Sequence, residues 1–423
     1  MKKTVVSVGL AVGAIGMSSA FAQGLELAAP KMWNVSASLR GFYDDNYSVG
    51  NSKEGSWGWE ASPSISGNVD LQQTDFGARY TFGMYYYVAR ADEGVDPLDY
   101  THQADVWLDH AFDETLKLNI TDSFVLAQDP QLVQGGSLIR VGGNNVANHA
   151  KLTLSKDWTR RFSTSTYYIN DLFIYDSTGN NSAPGVNPSQ AAILNRIEQR
   201  AGNDFQWQFQ PETIGFFGYA FRWTHYTGNQ QIAPQYGVYK YWSDSRDYNA
   251  HYGYIGVHHQ FTPSFGGTVR GGASYVDSFN NPVGNSTSWA PYSDISATYT
   301  YLPGSYVQGG FRQDISSTSE VQPSSNGDLT LYQQTSTAYF DITHQFTPKL
   351  TGTVISQYTY QSFKSGAYSG QPENTVNVGV NLAYKINRYL TADAGYNFDE
   401  LFSDVASREH SRNRVYFGLN ASY

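Results

Sequence analysis

The sequence predicts an all-β protein, a transmembrane antiparallel up-and-down β-barrel of about 18 strands with short periplasmic turns and long extracellular loops. Aromatic residues make up 15% of the 423-residue chain and charged residues only 15%, whereas a soluble domain has about 25% charged residues. Segments of about ten residues alternate between apolar and polar side chains, which is the length that a tilted strand needs to cross a bilayer. Short and long connections between these segments alternate along the chain.

The same composition excludes several other classes of protein. A helical membrane protein needs apolar runs of about 20 residues, and none follows the N-terminal segment. Disordered chains are poor in aromatic residues. The chain has no cysteine, which excludes disulfides and thiolate metal sites. Its formal net charge is −10, and no cluster of basic residues indicates nucleic-acid binding.

The N-terminal segment has the three parts of a secretory signal peptide. Residues 1–3 carry two lysines, residues 5–17 form a short apolar core, and residues 18–22 end in a small-residue cleavage pattern. A membrane anchor is the alternative, but the apolar core is too short to span a bilayer. We therefore assign residues 1–22 to a signal peptide and residues 23–423 to a single outer-membrane β-barrel domain.

The C-terminal segment shows the alternation most clearly. Val415, Phe417, Leu419 and Ala421 alternate with mostly polar residues, and the last residue is the aromatic Tyr423. One face of such a strand is apolar, as contact with lipid requires. The segment resembles the C-terminal signature of bacterial outer-membrane barrels, which the barrel assembly machinery reads. This resemblance implies outer-membrane lipid and the assembly machinery as partners.

The lengths of the connections predict the number of strands. The short turns fall at residues 70–74, 112–115, 156–160, 210–213, 261–264, 302–304, 346–349 and 386–388. The long segments, rich in Gly, Asn, Ser and Pro, fall at residues 44–55, 91–100, 129–145, 176–199, 227–246, 279–287, 317–328, 364–374 and 403–412. These eight turns and nine loops join 18 strands; 16 strands is the next count that the pattern allows.

Charged residues indicate which face of each strand points into the barrel, because Arg or Lys facing lipid at the midplane costs about 2–4 kcal/mol. The predicted pore-lining residues are Arg40, Arg79, Asp105, Asp109, Arg222, Arg270, Asp294, Arg312, Asp341 and Asp393. The cross-strand pairs expected among them are Arg79 with Asp105 or Asp109, Arg270 with Asp294, and Arg312 with Asp341. Such pairs either create a transverse field that orients passing solutes or simply neutralise interior charges.

Loops and inward aromatic side chains leave two further alternatives open. Residues 129–145 and 176–199 are the longest loops, and each either folds into the barrel as a constriction or decorates its outside. Within the second loop, residues 190–198 have a sequence compatible with a short helix. Most aromatic residues fit the girdles at the two membrane interfaces. The inward tyrosines at positions 85, 87, 339 and 416 could instead stack on sugar rings.

No motif in the sequence indicates catalysis or a resident cofactor. The chain has no G-x-S-x-G turn to position a nucleophilic serine, and no phosphate-binding or dinucleotide-binding motif. His258 and His259 are adjacent, so on a strand they point to opposite faces and cannot bind one metal ion together. We therefore expect no enzymatic activity, no metal and no cofactor.

Two short segments carry a resemblance to a known family. Residues 41–46, Gly-Phe-Tyr-Asp-Asp-Asn, open the first loop, and residues 61–65, Ala-Ser-Pro-Ser-Ile, place a proline in the second strand. In this layout the chain resembles the putative β-barrel porin family of bacterial outer membranes, the type associated with exopolysaccharide operons. The resemblance implies a barrel in the bacterial outer membrane and transfers no functional residues.

These observations lead to one expected function and two alternatives. We expect an outer-membrane channel for passive or loop-gated passage of small hydrophilic solutes, because an 18-stranded barrel is wide enough to leave an aqueous channel. A conduit for exopolysaccharide export, working with polysaccharide secretion components, is the first alternative. A plugged barrel that serves as a surface scaffold or adhesin is the second.

Overall fold

In the computed structural model the chain forms 18 antiparallel strands. The structure describes residues 32–127, 144–176, 188–233, 240–405 and 408–423, so the expected signal peptide and nearly all of the expected loop at 129–145 lie outside the described residues. The strands are β1 (Trp33–Asp44), β2 (Ser56–Asp70), β3 (Thr74–Tyr87), β4 (Leu98–Ala111), β5 (Leu116–Ala127), β6 (Asn145–Asp157), β7 (Phe162–Ile174), β8 (Arg196–Gln210), β9 (Thr213–Tyr226), β10 (Tyr248–Thr262), β11 (Phe265–Ser278), β12 (Ser286–Leu302), β13 (Ser305–Ser316), β14 (Tyr332–Thr347), β15 (Leu350–Lys364), β16 (Pro372–Lys385), β17 (Leu390–Ser403) and β18 (His410–Ser422).

The strands close into a barrel. Each strand pairs with the strands before and after it, and β1 pairs with both β2 and β18. The closing ladder runs from the Ser36–Ser422 pair to the Asp44–Arg414 pair. Closure removes the free edges that an open sheet would expose. The predicted all-β barrel of 18 strands, with eight short turns and nine longer connections, is confirmed.

Alternation along each strand gives the barrel an apolar outer face and a polar inner face. On β10, Ile255 is 70% exposed on the outside, while the neighbouring Tyr254 is 5% exposed on the inside. On β1, Leu39 lies on the outer face and the adjacent Arg40 points inward to an aspartate of β17. A strand between an apolar and a polar environment has this period of two.

Large aromatic rings on the inner face lie flat over glycines of neighbouring strands. Tyr167 on β7 is the register partner of Gly202 on β8, and a Cβ built on Gly202 would be 2.5 Å from the ring. Tyr339 lies over Gly310 and Tyr416 over Gly395 in the same way. The missing side chain of each glycine makes room for the ring. The rings therefore pack against the barrel wall at these glycines.

Helices are short and lie in the loops. α1 (Val88–Asp92) follows β3 directly, and α2 (Gln190–Leu194) precedes β8. The Ser189 side chain caps α2 by accepting a hydrogen bond from the Ala192 amide. The sequence-based helix at 190–198 is therefore too long, because the chain becomes extended at Asn195 and β8 begins at the next residue. No helix among the described residues is long and apolar enough to cross a bilayer.

The contact between Tyr167 and Gly202 predicts the effect of a small substitution. Gly202→Ala is expected to destabilise the barrel by about 1–3 kcal/mol, because the added methyl group overlaps the Tyr167 ring. Gly253→Ala on β10 is the matched control, since nothing lies within 4 Å of a Cβ at that position. The stability of both variants is measured by urea unfolding, with the folded fraction detected by its mobility in gels. Equal stability of the two variants would contradict this account of the ring contact.

Candidate functional site

A nonpolar cluster fills part of the barrel interior at the end with the long loops. We call its loop component the loop plug, defined as the described parts of residues 175–195, 227–247 and 317–331. Ala192, Ile232 and Leu329, one from each loop, have no exposed surface. They pack with inward tyrosines and small apolar residues of β10, β11 and β12. The described part of the loop expected at 176–199 is therefore inserted into the barrel rather than placed outside it.

Arg246 joins the three loops of the plug. Its guanidinium donates hydrogen bonds to the carbonyl of Ile193 at 3.0 Å and to the carbonyl of Thr318, and it lies over the ring of Tyr226 at 4.5 Å. The side chain is fully buried, and this burial lowers the pKa of Arg246. A charged side chain is kept here because it satisfies carbonyl groups at the end of α2 and at the start of the loop after β13.

The end of β13 is tied to strands that are not its neighbours in the sheet. Asp314 accepts a hydrogen bond from Arg200 of β8 at 2.9 Å and another from the hydroxyl of Tyr252 of β10 at 3.0 Å. Arg222 of β9 donates to the carbonyl of Ile315 at 3.0 Å. These contacts pull the top of β13 inward and fix the direction in which the following loop enters the barrel.

A second ion-pair group connects the plug to the rest of the rim. Arg408, just before β18, contacts Glu320 of the plug at 2.8 Å and donates to Glu373 of β16 at 3.1 Å. Ser319 also accepts a hydrogen bond from Arg408 at 3.0 Å. Burial raises the pKa of Glu320, and the charge of Arg408 opposes that shift. The plug is thus held from two sides of the barrel.

Several predicted inner-face residues form ion pairs. Arg79 pairs with Asp105 at 2.9 Å, one of the two partners expected from the sequence. Arg40 lies between Asp393 at 2.8 Å and Glu60 at 3.5 Å. The expected charges therefore occur on the inner face, with short-range partners of opposite sign.

The remaining predicted residues differ more in their surroundings. Asp109 is exposed and accepts a hydrogen bond from Asn119 at 2.8 Å. Asp294 lies between Arg270 and Arg312 in the register of β11, β12 and β13. Asp341 lies on the inner face of β14, and one of its oxygens is buried without a hydrogen-bond partner among the described residues.

Two expected pairs are replaced by others. Arg270 is the register neighbour of Asp294 but bonds to Asp204 of β8 at 3.0 Å. Arg312 was expected beside Asp341, which is wrong, because the register of β13 and β14 places Gln308 opposite that aspartate. The acidic contact of Arg312 is instead Asp314, two residues along its own strand, at 3.4 Å. The expected pairing was wrong by four residues along β13, the separation between Gln308 and Arg312.

Sequence reasoning missed the charges that anchor the plug. Glu198, which bonds to both Arg196 and Arg222, was assigned to a loop because β8 begins earlier than the polar loop composition suggests. Asp314 has the same parity as Arg312 on β13, so the period of two could have identified it as inward-facing. Its contacts with β8 and β10 involve strands distant in sequence, which no local pattern reveals.

The inward tyrosines have little free ring surface. Tyr87 is 2% exposed and packs edge-on against Phe42, with Arg90 over its ring at 4.5 Å. Tyr416 has Arg40 over one face at 4.9 Å, and Gly395 lies against the ring from the neighbouring strand. These two rings serve the packing of the wall, and in this arrangement they present no open face to a sugar.

The family model described as "Putative beta-barrel porin 2" matches residues 32–423. The chain belongs to this family. The match includes every strand of the barrel, so the protein is an outer-membrane barrel of porin type. No curated protein sequence matches the chain.

Three solved structures are similar to the chain over most of its length. OccAB4 of Acinetobacter baumannii shares 11% identity, with 93% of this chain and 99% of that chain covered, at a TM-score of 0.42. The outer membrane protein opdK of Pseudomonas aeruginosa shares 11% identity, with 92% and 99% covered, at a TM-score of 0.43. The siderophore receptor PirA of Acinetobacter baumannii shares 8% identity, with 94% and 81% covered, at a TM-score of 0.46.

Loss of Arg246 is expected to loosen the loop plug. Arg246→Met keeps most of the side-chain volume but leaves the carbonyls of Ile193 and Thr318 without their donor, at a cost of about 1–3 kcal/mol for each buried group. Amide exchange of peptides that cover α2 should accelerate about tenfold or more, the factor that corresponds to 1.4 kcal/mol. Arg160→Met, in an exposed periplasmic turn, is the control. Unchanged exchange in α2 would show that Arg246 does not hold the plug.

The raised pKa of Glu320 predicts how acid affects stability. Because the folded-state pKa lies above that of an unfolded glutamate, protonation of Glu320 favours the folded state. The contribution of Glu320 to folding stability is fully present below its unfolded-state pKa of about 4.3. This contribution is lost as the pH rises through the pKa of Glu320 in the folded state. Glu320→Gln should therefore match or exceed the wild-type unfolding temperature at neutral pH, and the two should converge in acid. Glu114→Gln in a periplasmic turn is the control, and a less stable Glu320→Gln protein at neutral pH would refute the assignment.

Proposed function

We propose that the protein is an outer-membrane channel for passive or loop-gated passage of small hydrophilic solutes. The supporting observation is a closed ring of 18 strands with a polar, charge-bearing inner face. Barrels of 16 to 18 strands leave an aqueous channel. A channel of this kind works by shape and electrostatics alone, so the proposal includes no enzymatic step and no cofactor.

Paired charges on the inner face suit the passage of polar solutes. Arg79 and Asp105 on adjacent strands, and Arg40 with Asp393, present opposite charges side by side. Such pairs can hydrogen-bond to a passing solute but hold it less strongly than a lone charge would. Conduction needs binding that is favourable enough for entry and weak enough for exit. The predicted inner-face residues are therefore proposed as pore-lining residues, except Arg222, which is buried against Glu198 and Ile315.

The loop plug makes the gated form of this channel the more specific proposal. The nonpolar cluster that contains the plug includes residues of β7 and of β9 to β14, whereas the inner-face residues Asn119, Thr121 and Ser123 of β5 remain partly exposed. We propose that solutes pass along the part of the wall that the plug does not cover, and that movement of the plug widens the passage. The plug also favours a second candidate, a permanently blocked barrel that acts as a surface scaffold or adhesin. The alternative of an exopolysaccharide conduit acting with secretion components rests on the family resemblance.

Export and assembly are part of the proposal. Residues 1–22 would direct the chain across the inner membrane, and the barrel assembly machinery would recognise the last strand. Tyr423 is 60% exposed and packs against Trp33 and Tyr389 at the periplasmic rim. An exposed terminal aromatic residue at that rim is accessible from the periplasm, where the machinery would bind it.

Single-channel recording in planar bilayers tests the proposed function. The wild-type barrel should show open steps, and Arg246→Met should increase either the step size or the open fraction, because it releases the plug from Ile193 and Thr318. Arg160→Met should behave as the wild type. A folded wild-type barrel that never conducts, together with a silent Arg246→Met variant, would refute the channel and favour the blocked scaffold. A salt gradient in the same experiment gives the ion selectivity.

A further inference from the structure

The barrel wall has one long interruption, between β12 and β13. β11 pairs with β12 over its upper part as far as the Ser278–Ser286 pair. The ladder between β12 and β13, in contrast, ends at the Ser293–Gln313 pair. Residues 286–292 of β12 therefore have a partner on one side only. Among the described strands this is the longest such unpaired edge. We call it the β12 edge.

The chemistry of two residues explains why the ladder stops there. Two steps beyond the Ser293–Gln313 pair, the register would place Pro291 opposite Ile315. Proline has no N–H to donate and is found at the edges of sheets. The carbonyl of Ile315 accepts its hydrogen bond from Arg222, inside the barrel. The two strands thus separate where one lacks a donor and the other is drawn inward.

The β12 edge lies at the level of the outer leaflet. Trp289 is 73% exposed on the outer face of β12, and Tyr299 is exposed on the same face ten residues later. Ten residues span about 34 Å along a strand and about 26 Å along the membrane normal at the usual tilt. This matches the apolar band of about 25 Å between two aromatic girdles. Trp289 then marks the outer interface, and residues 290–292 reach below it into the acyl-chain region.

Several nonpolar side chains lie behind the β12 edge, next to the buried Asp314. Ala290 and Tyr292 of β12 and Ile315 of β13 are buried and belong to the nonpolar cluster. Leu329 and Leu331 of the loop plug belong to the same cluster. One side-chain hydrogen bond, between the hydroxyls of Ser288 and Tyr332, joins β12 to β14 across the gap. Nonpolar side chains of β12, β13 and the plug therefore lie together directly behind the β12 edge.

We propose that the β12 edge is a lateral portal, through which the acyl chain of a single-chain amphipathic molecule in the outer leaflet reaches the nonpolar region beside the loop plug. The position of the gap in the lipid band identifies an acyl chain as the occupant, because only lipid-like molecules are concentrated there. The bond between Ser288 and Tyr332 and the packing of the plug keep the portal closed. This function goes beyond passage of hydrophilic solutes along the barrel axis.

Cysteine labelling tests the portal directly, because the chain has no cysteine of its own. Ile315→Cys places a thiol behind the β12 edge. Ile355→Cys places one at a similarly buried inward position on β15, which is paired on both sides. In liposomes, a long-chain alkyl maleimide dissolved in the bilayer should label position 315 at least several-fold faster than position 355. Tyr332→Phe, or Ser288→Ala, should accelerate labelling at 315 further by releasing the bond across the gap.

A matched hydroxyl deletion and a second reagent complete the design. Tyr358→Phe removes a tyrosine hydrogen bond to Asn374 between β15 and β16, where the ladder is intact, and should not change labelling at 315. The portal would be excluded if the alkyl reagent labelled both positions equally, or if Tyr332→Phe and Ser288→Ala had no effect. Labelling of 315 only by a charged, water-soluble maleimide would show entry from the lumen and would also overturn the portal. These outcomes do not depend on conductance, so failure of the channel proposal is distinguished from failure of the portal.

Discussion

Backbone hydrogen bonding in lipid is the constraint on which the rest of this structure depends. A hydrocarbon environment offers no partner to an unpaired N–H or C=O group, so the strands must satisfy one another and close into a ring. The ladder between β1 and β18 completes that ring. Closure sets the inner face apart from lipid, and only then can arginines and aspartates line the strands without the cost of facing hydrocarbon.

The polar interior raises a second problem, because charges that leave bulk water need partners. Arg200, Arg222 and Arg270 each pair with a carboxylate, and the partners of Arg200 and Arg270 lie on strands that are not their neighbours in the sheet. These connections across the lumen turn the top of β13 inward and fix the entry of the loop that follows it. The loop plug is thus a consequence of how the interior charges are satisfied, and its nonpolar residues pack where the charged anchors place them.

The β12 edge shows that the backbone constraint is relaxed at one place. Pro291 of β12 has no backbone N–H to donate, and it lies where β13 separates from β12. Nonpolar side chains cover this gap from the inside of the barrel. To open such a site, one side-chain hydrogen bond and the packing around it must be broken, but a complete backbone ladder between two strands need not be. The barrel can therefore remain closed as a ring while the wall near the outer interface is weaker than elsewhere.

The sequence alone determined the strand number, the turn and loop pattern, and the inner or outer direction of most side chains, because a period of two and the chemistry of turns are local properties. It also predicted the pair of Arg79 with Asp105, which depends only on neighbouring strands. Tertiary structure decided the rest. The partner of Arg312 depends on the register of β13 with β14, the contacts of Asp314 join strands far apart in sequence, and Arg246 acts through carbonyls of two other loops. Such contacts form only when the ring closes, so no local pattern encodes them.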